Sequence, residues 1–369
     1  MRRLLFLLAV GASAVGLFTT VGSASSSGSK SRISALAIQP VSGARPTSNP
    51  AVGAPPLLLN DANGGGDVMG TASTGPIVVT PIFWQPSGHP MVSKYKNILS
   101  AFWSDVAHDS GVHSNVFSTM NEYYGSNGTI NYQLIAGKPI DDTGPLPANG
   151  CNVGALDTTG IYKDGSGYDA CIDDAQVAAE TQRVVAANHL PVDLAHIYML
   201  YLPKHVESCF NSADTTANPP GNACTINHYP SATYCAYHNM DTSNGRVYAN
   251  MPFPIYQGSV PYTCGSNSQR NFGTIEAPNG NPDADTEISP TSHEIMESIT
   301  DPDTEGGWYD QYFYENGDEC AYVYGPSYGK PGKLYNQTIH NHHYLTQEEF
   351  SMLDWNATHR GCRQTEYGY

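Results

Sequence analysis

The sequence predicts an α/β fold, in which a mixed β-sheet is flanked by helices and carries a disulfide-rich insertion. Segments of strand type and helix type alternate between residues 75 and 203, which is the order of a layered α/β domain. The next segment, about residues 204–282, is rich in Cys, Tyr, Asn and Pro and contains only short strand-like pieces. We therefore expect this segment to be an irregular insertion held by disulfides.

The alternating part starts with a β-branched, apolar run, GPIVVTPIFWQ at 75–85, which predicts a strand. Apolar residues then recur at helical spacing over 93–110, and Ser93 is a suitable N-cap for this helix. A second, short helix is predicted over 116–125, where Gly125 ends it.

A strand is predicted next over 129–137, followed by an Ala-rich helix over 173–191 whose first residues are acidic. The strongly apolar run at 195–203 predicts a further strand. Two strand-like pieces, at 232–240 and 246–256, lie inside the insertion. Together these segments provide enough strands for one sheet with helices packed on it.

The N-terminus predicts export. Arg2 and Arg3 precede an apolar run that ends in small residues, so we interpret residues 1–24 as a signal peptide. A retained membrane anchor is the alternative, because the run is close to the length of a short spanning helix. Residues 25–70, rich in Ser, Gly, Pro and Ala, predict a flexible leader or pro-segment, and residues 71–369 a single domain. After signal cleavage we expect a secreted protein with no stable membrane insertion.

Charge and cysteine content narrow the function classes. The chain has 34 acidic and 17 basic residues, a formal charge of −17, and its Lys and Arg form no cluster. This pattern argues against a nucleic-acid partner. Eight cysteines in an exported protein predict disulfides, although the sequence does not determine their pairing. Proximity along the chain favours Cys151 with Cys171 and Cys320 with Cys362.

One helix carries the candidate chemistry. The stretch SPTSHEIMESITDP predicts a helix over 290–300, because Ser289 is a suitable N-cap and Pro290 suits the first helical position. Asp301 precedes Pro302 and is therefore biased out of the helical region, which ends the helix.

Helical periodicity sorts the side chains of this helix into two faces. Ile295 and Ile299 lie on one face, where they are expected to pack on the core. His293 and Glu297 lie one turn apart on the other face, from which side chains at i and i+4 can reach one cation. Glu294 between them is placed to act on water bound to that cation, as in a zincin-like H-E-x-x-H helix. The alternative is a solvated helix face without a metal.

A zinc site of this type takes a third ligand from beyond the helix. The segment ENGDEC supplies Glu315 and Asp318 as candidates. Carboxylate oxygen is an accepted zinc ligand, so Zn²⁺ is the expected cofactor, and the acidic ligand set also admits Mn²⁺ or Ca²⁺. His238, in the strand-like piece YCAYHNM, is a further candidate to approach the metal. Tyr309, or a histidine of the tail segment IHNHHY, is expected to stabilise an oxyanion.

The motifs in this region resemble the EXORDIUM / phosphate-induced protein family of secreted plant cell-wall proteins and its bacterial relatives. In that family a His-Glu-x-x-Glu helix runs into Thr-Asn/Asp-Pro, followed by a Trp-Tyr pair and an acidic segment with Asp and Cys before Tyr-Gly. The matching positions in this chain are His293, Glu294, Glu297, Thr300, Asp301, Pro302, Trp308, Tyr309, Glu315, Asp318, Cys320, Tyr324 and Gly325. The resemblance implies an extracellular or cell-wall-associated protein and implies no particular chemistry.

The metal-helix pattern predicts a secreted zinc-dependent hydrolase, with peptide bonds as the default substrate and Glu294 as general base. The alternative is a non-catalytic, EXORDIUM-like extracellular or cell-wall protein, in which the metal is structural or the protein binds carbohydrate. The expected partner is a peptide or a cell-wall polymer. The sequence makes no prediction of the oligomeric state.

Overall fold

The computed structural model describes residues 66–148, 170–209, 234–254, 275–303, 306–310 and 314–369, together with the backbone of two short strands nearer the N-terminus. The helices are α1 Ser93–His108, α2 Asp174–Ala187, α3 Pro282–Thr300 and α4 Met352–Thr358, with 3-10 helices at Val116–Glu122 and Asp318–Cys320. The strands are β1 Ala35–Ala37, β2 Leu59–Asn60, β3 Ile77–Trp84, β4 Tyr124–Gly125, β5 Gly128–Thr129, β6 Leu134–Ala136, β7 Ile140–Asp142, β8 Ala170–Asp173, β9 His196–Tyr201, β10 Val206–Cys209, β11 Tyr234–Asp241, β12 Arg246–Met251, β13 Trp308–Tyr309, β14 Gln337–Ile339, β15 His342–Tyr344, β16 Glu349–Phe350 and β17 Cys362–Arg363.

A seven-stranded mixed sheet organises the fold, which confirms the expected mixed sheet flanked by helices. Its order is β1-β11-β12-β9-β3-β6, and β7 also pairs with β3. Strands β12, β9, β3, β6 and β7 run parallel, whereas β11 runs antiparallel to β12 and β1 antiparallel to β11. Strand β1 comes from the segment that the sequence assigns to the leader, so this segment contributes the edge strand beside β11.

Helices cover both faces of the sheet. Alternate side chains of β3 point to opposite faces, so Phe83 packs with α1 and α3 while Ile82 packs with α2. Strand β11 follows the same rule, and Ala236 joins the core beneath α3. His238, two residues further along, lies on that same face and pairs in register with Ala249. The sheet therefore presents an imidazole to the helix that carries the candidate metal ligands.

Helix α3 is longer than the sequence predicts. It begins at Pro282, where the side chain of Asn281 accepts a hydrogen bond from the amide of Ala284. Ser289 is therefore not the N-cap, and Pro290 lies inside the helix, where it removes one backbone hydrogen bond. Asn281 followed by Pro282 is the same signal as Ser289 followed by Pro290, about two turns earlier, and the longer helix gains core contacts through Ala284 and Ile288.

Two further boundaries differ from the sequence prediction. Val68 and Met69 are fully buried, and the amide of Met69 donates to the carbonyl of Ile299, so packed structure begins within the segment expected to be leader. The stretch TQEEFSMLDWNA, in which Thr346 and Glu349 form a capping-box pattern, predicts a helix from Thr346 onward, but the helix starts at Met352 with Ser351 as its N-cap. Within the ranges that the structure describes, no helix is long and apolar enough to span a bilayer.

One predicted disulfide is confirmed, since Cys320 is bonded to Cys362. Cys171, Cys209 and Cys235 are also disulfide-bonded. The expected pairing of Cys171 involves Cys151, which lies outside the described residues, as do the signal peptide at 1–24 and most of the insertion predicted at 204–282.

Candidate metal centre

The polar face of α3 is buried. His293, Glu294 and Glu297 each have 0% of their surface exposed. The solvated helix face that the sequence left open is therefore excluded, because α3 is buried on all sides from Ala284 to Thr300, acids and apolar residues alike. Buried carboxylates that lack compensation are strongly destabilising, so these side chains require protons, hydrogen-bond donors or a cation.

The first of two clusters is the His293 group, which consists of His293, Glu297 and Asp318. Nε2 of His293 lies 3.0 Å from Oε1 of Glu297 and 3.7 Å from Oδ1 of Asp318. The backbone amide of Asp318 donates to the same Oε1 of Glu297 at 3.0 Å. One donor atom from each residue lies within 4.8 Å of the others, so these three side chains could hold a metal ion.

The second cluster is the His238 group, which consists of His238, Glu294, Glu297 and Glu315. Nδ1 of His238 lies 3.5 Å from Oε2 of Glu294, 3.8 Å from Oε2 of Glu297 and 3.9 Å from Oε2 of Glu315. These distances exceed those of normal hydrogen bonds. Glu297 belongs to both groups, with one carboxylate oxygen in each.

The tautomer of His238 is set by a backbone carbonyl. Nε2 of His238 donates to the carbonyl oxygen of Asp301 at 2.9 Å, which leaves a lone pair on Nδ1 in the neutral ring. Burial lowers the pKa of His238 and outweighs the opposite effects of Glu297 and of the Asp301 carbonyl, so the neutral ring is favoured. Among the described residues Nδ1 has no hydrogen-bond partner. A neutral imidazole fixed from behind by a carbonyl is the usual state of a metal-binding histidine.

His293 is held differently. The side-chain amide of Gln347 donates to Nδ1 of His293 at 2.9 Å and to the carbonyl of Gly317 at 2.7 Å. Because Nδ1 accepts this bond, the ring proton of neutral His293 resides on Nε2, which faces Glu297 without hydrogen-bond geometry. The backbone amide of Gln347 in turn donates to Oγ of Ser289. A cation bound at Nε2 would replace its proton.

The segment that carries Glu315 and Asp318 reaches α3 through a glycine. A Cβ atom on Gly317 would lie only 2.6 Å from Nδ1 of His293 and 2.9 Å from Oε1 of Glu297. No residue with a side chain fits this contact without displacing the site. The disulfide of Cys320 joins the end of this segment to the C-terminal part of the chain.

Burial and mutual repulsion act on the carboxyl groups. The pKa of Glu294 is raised well above its ordinary value, chiefly by burial and then by Glu297 and Asp318. The pKa of Glu349, which the β16 strand brings against the same carboxylates, is raised by burial and by the same two neighbours. Both shifts favour the protonated form of these carboxyl groups, and a cation can take the place of those protons.

The structure brings together most of the residues that the sequence selected. His293, Glu297 and Asp318 form one group, whereas Glu315 lies on the His238 side. Tyr309 lies in β13, which pairs with β2, and its role at an oxyanion stays a prediction.

The tail histidines and two residues of the C-terminal region lie elsewhere than the sequence indicates. His342 contacts Asp105 of α1 at 2.6 Å, and the ring of His340 packs on His108. Gln347 and Glu349 join the site, although the sequence interprets TQEEF as the start of a helix. Gln347 and Glu349 are two residues apart, and in an extended strand residues at this spacing point to the same face. This spacing was the only local signal that could have placed the two side chains together.

Comparison with protein-family models, with curated proteins and with solved structures found no match to this chain.

Proposed function

We propose that this protein is a zinc-dependent hydrolase, with a zincin-like α3 helix and peptides as substrates. The observation that supports this proposal is the convergence of His293 and Glu297 of α3 with Asp318 of the following segment, whose donor atoms lie within 4.8 Å of one another. One imidazole and two carboxylates match the ligand types that zinc takes in hydrolases. The acidic ligand set also leaves Mn²⁺ as a second choice.

Each residue of the centre has a distinct role in this proposal. His293, Glu297 and Asp318 hold the cation, which when bound supplies Lewis-acid activation of a carbonyl and of water. Glu294 takes a proton from the attacking water and returns it to the leaving amine. The raised pKa of Glu294, caused first by burial and then by Glu297, brings this carboxyl closer to the range in which a group both accepts and donates protons.

The edge of the sheet supports a peptide as the substrate class. Strand β11, which carries His238, would be the edge strand of the sheet without β1. Its outer edge pairs antiparallel with Ala35–Ala37 of the expected leader, with Ala35 opposite Tyr237. An edge that accepts one extended segment is suited to accept another by strand addition. We therefore propose that an extended peptide binds along β11 after the leader is removed.

The experiment is a hydrolysis assay on an unfolded, fluorescently labelled protein, with the full chain and with a form that lacks residues 1–58. We expect the shortened form to be more active. Glu294→Gln should keep the cation of the His293 group and lose about 100-fold or more in rate, since general acid–base catalysis contributes about 10²–10⁴-fold. His293→Ala should lose both the cation and the activity.

The matched control is Glu366→Gln, because Glu366 pairs with His113 outside the centre. Equal hydrolysis by wild type, Glu294→Gln and His293→Ala would contradict the proposal.

The burial of His293, Glu294 and Glu297, each 0% exposed, favours a second candidate, a non-catalytic extracellular protein with a structural metal. In that case a chelator lowers the melting temperature, while no form of the protein cleaves peptides. Glu294→Gln then changes stability without changing any turnover. Binding to a cell-wall polymer in a pull-down, with no release of fragments, would support this candidate.

A further inference from the structure

The two carboxylate oxygens of Glu297 face different histidines. Oε1 lies 3.0 Å from Nε2 of His293, and Oε2 lies 3.8 Å from Nδ1 of His238. Both rings and the carboxylate are fully buried. A carboxylate placed between two imidazoles in this way has the arrangement of a bridging ligand.

The spacing of donor atoms in the His238 group fits metal coordination. Ligands at about 2.1 Å from a tetrahedral zinc lie about 3.4 Å from one another. The distances from Nδ1 of His238 to Glu294, Glu297 and Glu315, 3.5–3.9 Å, are close to this value. They are too long for hydrogen bonds, which would be about 2.7–3.2 Å. Donor atoms of His238, Glu294 and Glu297 also lie within 4.8 Å of one another, as atoms around a common centre would, and Glu315 approaches from the side of His238.

Unpartnered buried atoms point to the same place. Within the described part of the chain, Nδ1 of His238 and both carboxylate oxygens of Glu294 have no hydrogen-bond partner. A lone pair on nitrogen that faces carboxylate oxygens is repulsive unless a cation or a proton lies between them. The carbonyl of Asp301 holds the ring proton on the opposite nitrogen, Nε2. A cation would satisfy both His238 and Glu294.

Charge balance supports a second ion as well. The two groups contain four carboxylates in total, from Glu294, Glu297, Glu315 and Asp318. When all four are ionised, one divalent cation offsets two of their four negative charges, whereas two divalent cations offset all four. Buried uncompensated charge is costly, so the residue content of the centre matches two cations better than one.

We propose that α3 carries a two-metal centre, in which His238, Glu294 and Glu315 hold a second divalent cation and Glu297 bridges it to the cation of the His293 group. Two-metal sites have separations of about 3.5–4 Å, which a bridging carboxylate spans. This inference rests on the proposed function for the first cation and changes one of its roles. Glu294 becomes a metal ligand, and the pair of cations takes over the activation of water.

The experiment is metal titration of the full-length chain. The protein is stripped with a chelator, loaded with Zn²⁺ and desalted, and bound zinc is measured by elemental analysis. We expect two zinc ions per wild-type chain, one in His238→Ala, one in Asp318→Asn and fewer than one in Glu297→Gln. His196→Ala is the matched control, because His196 also lies on a strand of the sheet and pairs with an acid, Asp193, away from the centre.

A measurement on the wild type covers the case in which a buried variant fails to fold. The stripped chain is loaded with Mn²⁺, and electron paramagnetic resonance distinguishes an exchange-coupled pair from isolated ions. A coupled signal is expected, and Glu315→Gln, a conservative change, should convert it to the signal of isolated Mn²⁺.

The possible outcomes separate this inference from the proposed function. One zinc per wild-type chain that survives His238→Ala overturns the second site and leaves the first cation in place. The absence of any bound metal in the wild type overturns both. Two bound metals in a protein without hydrolytic activity support the two-metal centre and count against the hydrolase.

Discussion

Gly317→Ala is the smallest change that tests the metal centre, since it adds one methyl group. The backbone of Gly317 has φ −73° and ψ −42°, which alanine adopts without strain, so any effect comes from the added carbon atom. That atom would lie 2.6 Å from Nδ1 of His293, and it needs about 0.8 Å of movement to reach an ordinary contact of 3.4 Å. Metal-ligand distances tolerate only about 0.2 Å. The substitution should therefore separate Asp318 from His293 and Glu297.

The magnitude follows from the loss of one correctly placed ligand. We expect zinc affinity of the His293 group to fall about 100-fold, the upper end of the effects seen when residues that orient ligands are altered. At a zinc concentration 100 times the wild-type Kd, one site stabilises the wild type by about 2.7 kcal/mol and the variant by about 0.4 kcal/mol. With about 2–4 °C per kcal/mol, the zinc-induced rise in Tm falls from about 5–10 °C to about 1 °C.

The assay is thermal unfolding of stripped protein with and without Zn²⁺, together with bound zinc by elemental analysis. Gly306→Ala is the control, because its Cβ meets nothing closer than 3.7 Å. The reasoning is refuted if Gly317→Ala binds zinc as tightly as the wild type, or if Gly306→Ala loses zinc to the same extent.

Two further predictions concern the ligands and their protons. Gln347→Leu removes the amide that contacts Nδ1 of His293, so zinc at the His293 group should bind about 10–100-fold more weakly, with zinc at the His238 group unaffected in the same titration. Stability of the metal-free protein should depend on pH, because burial raises the pKa of Asp301 from 3.8 to about 7 and raises that of Glu294 in the same direction. A carboxyl group whose pKa is raised by folding contributes its full stabilisation below its unfolded pKa, and this contribution is lost as the pH rises through the folded pKa. For each such group the free energy of unfolding falls by at most about 1.4 kcal/mol per pH unit. The Tm of the metal-free protein should therefore decrease as the pH rises from about 4 to 7, and added Zn²⁺ at pH 7 should restore it. A Tm of the metal-free protein that stays constant or increases over this range contradicts the prediction.

Local patterns determined much of the fold. Alternating strand and helix signals between 75 and 203 are borne out by β3, α1, α2 and β9, because each pattern reflects the periodicity of one element. The pairing of Cys320 with Cys362 was also correctly expected.

The sequence alone also determined that His293 and Glu297 lie one turn apart on a helix, because helical geometry is set within a few residues. It did not determine which surface of that helix is covered, and the burial of residues 284–300 on all sides depends on segments far away in the chain. His238 reaches the centre from β11, and Gln347 from the C-terminal region, because sheet pairing and chain return bring them there. Only the tertiary structure therefore decided that Asp318 lies beside His293 and Glu315 beside His238, since donor positions within a few ångströms depend on contacts between segments that no local pattern encodes.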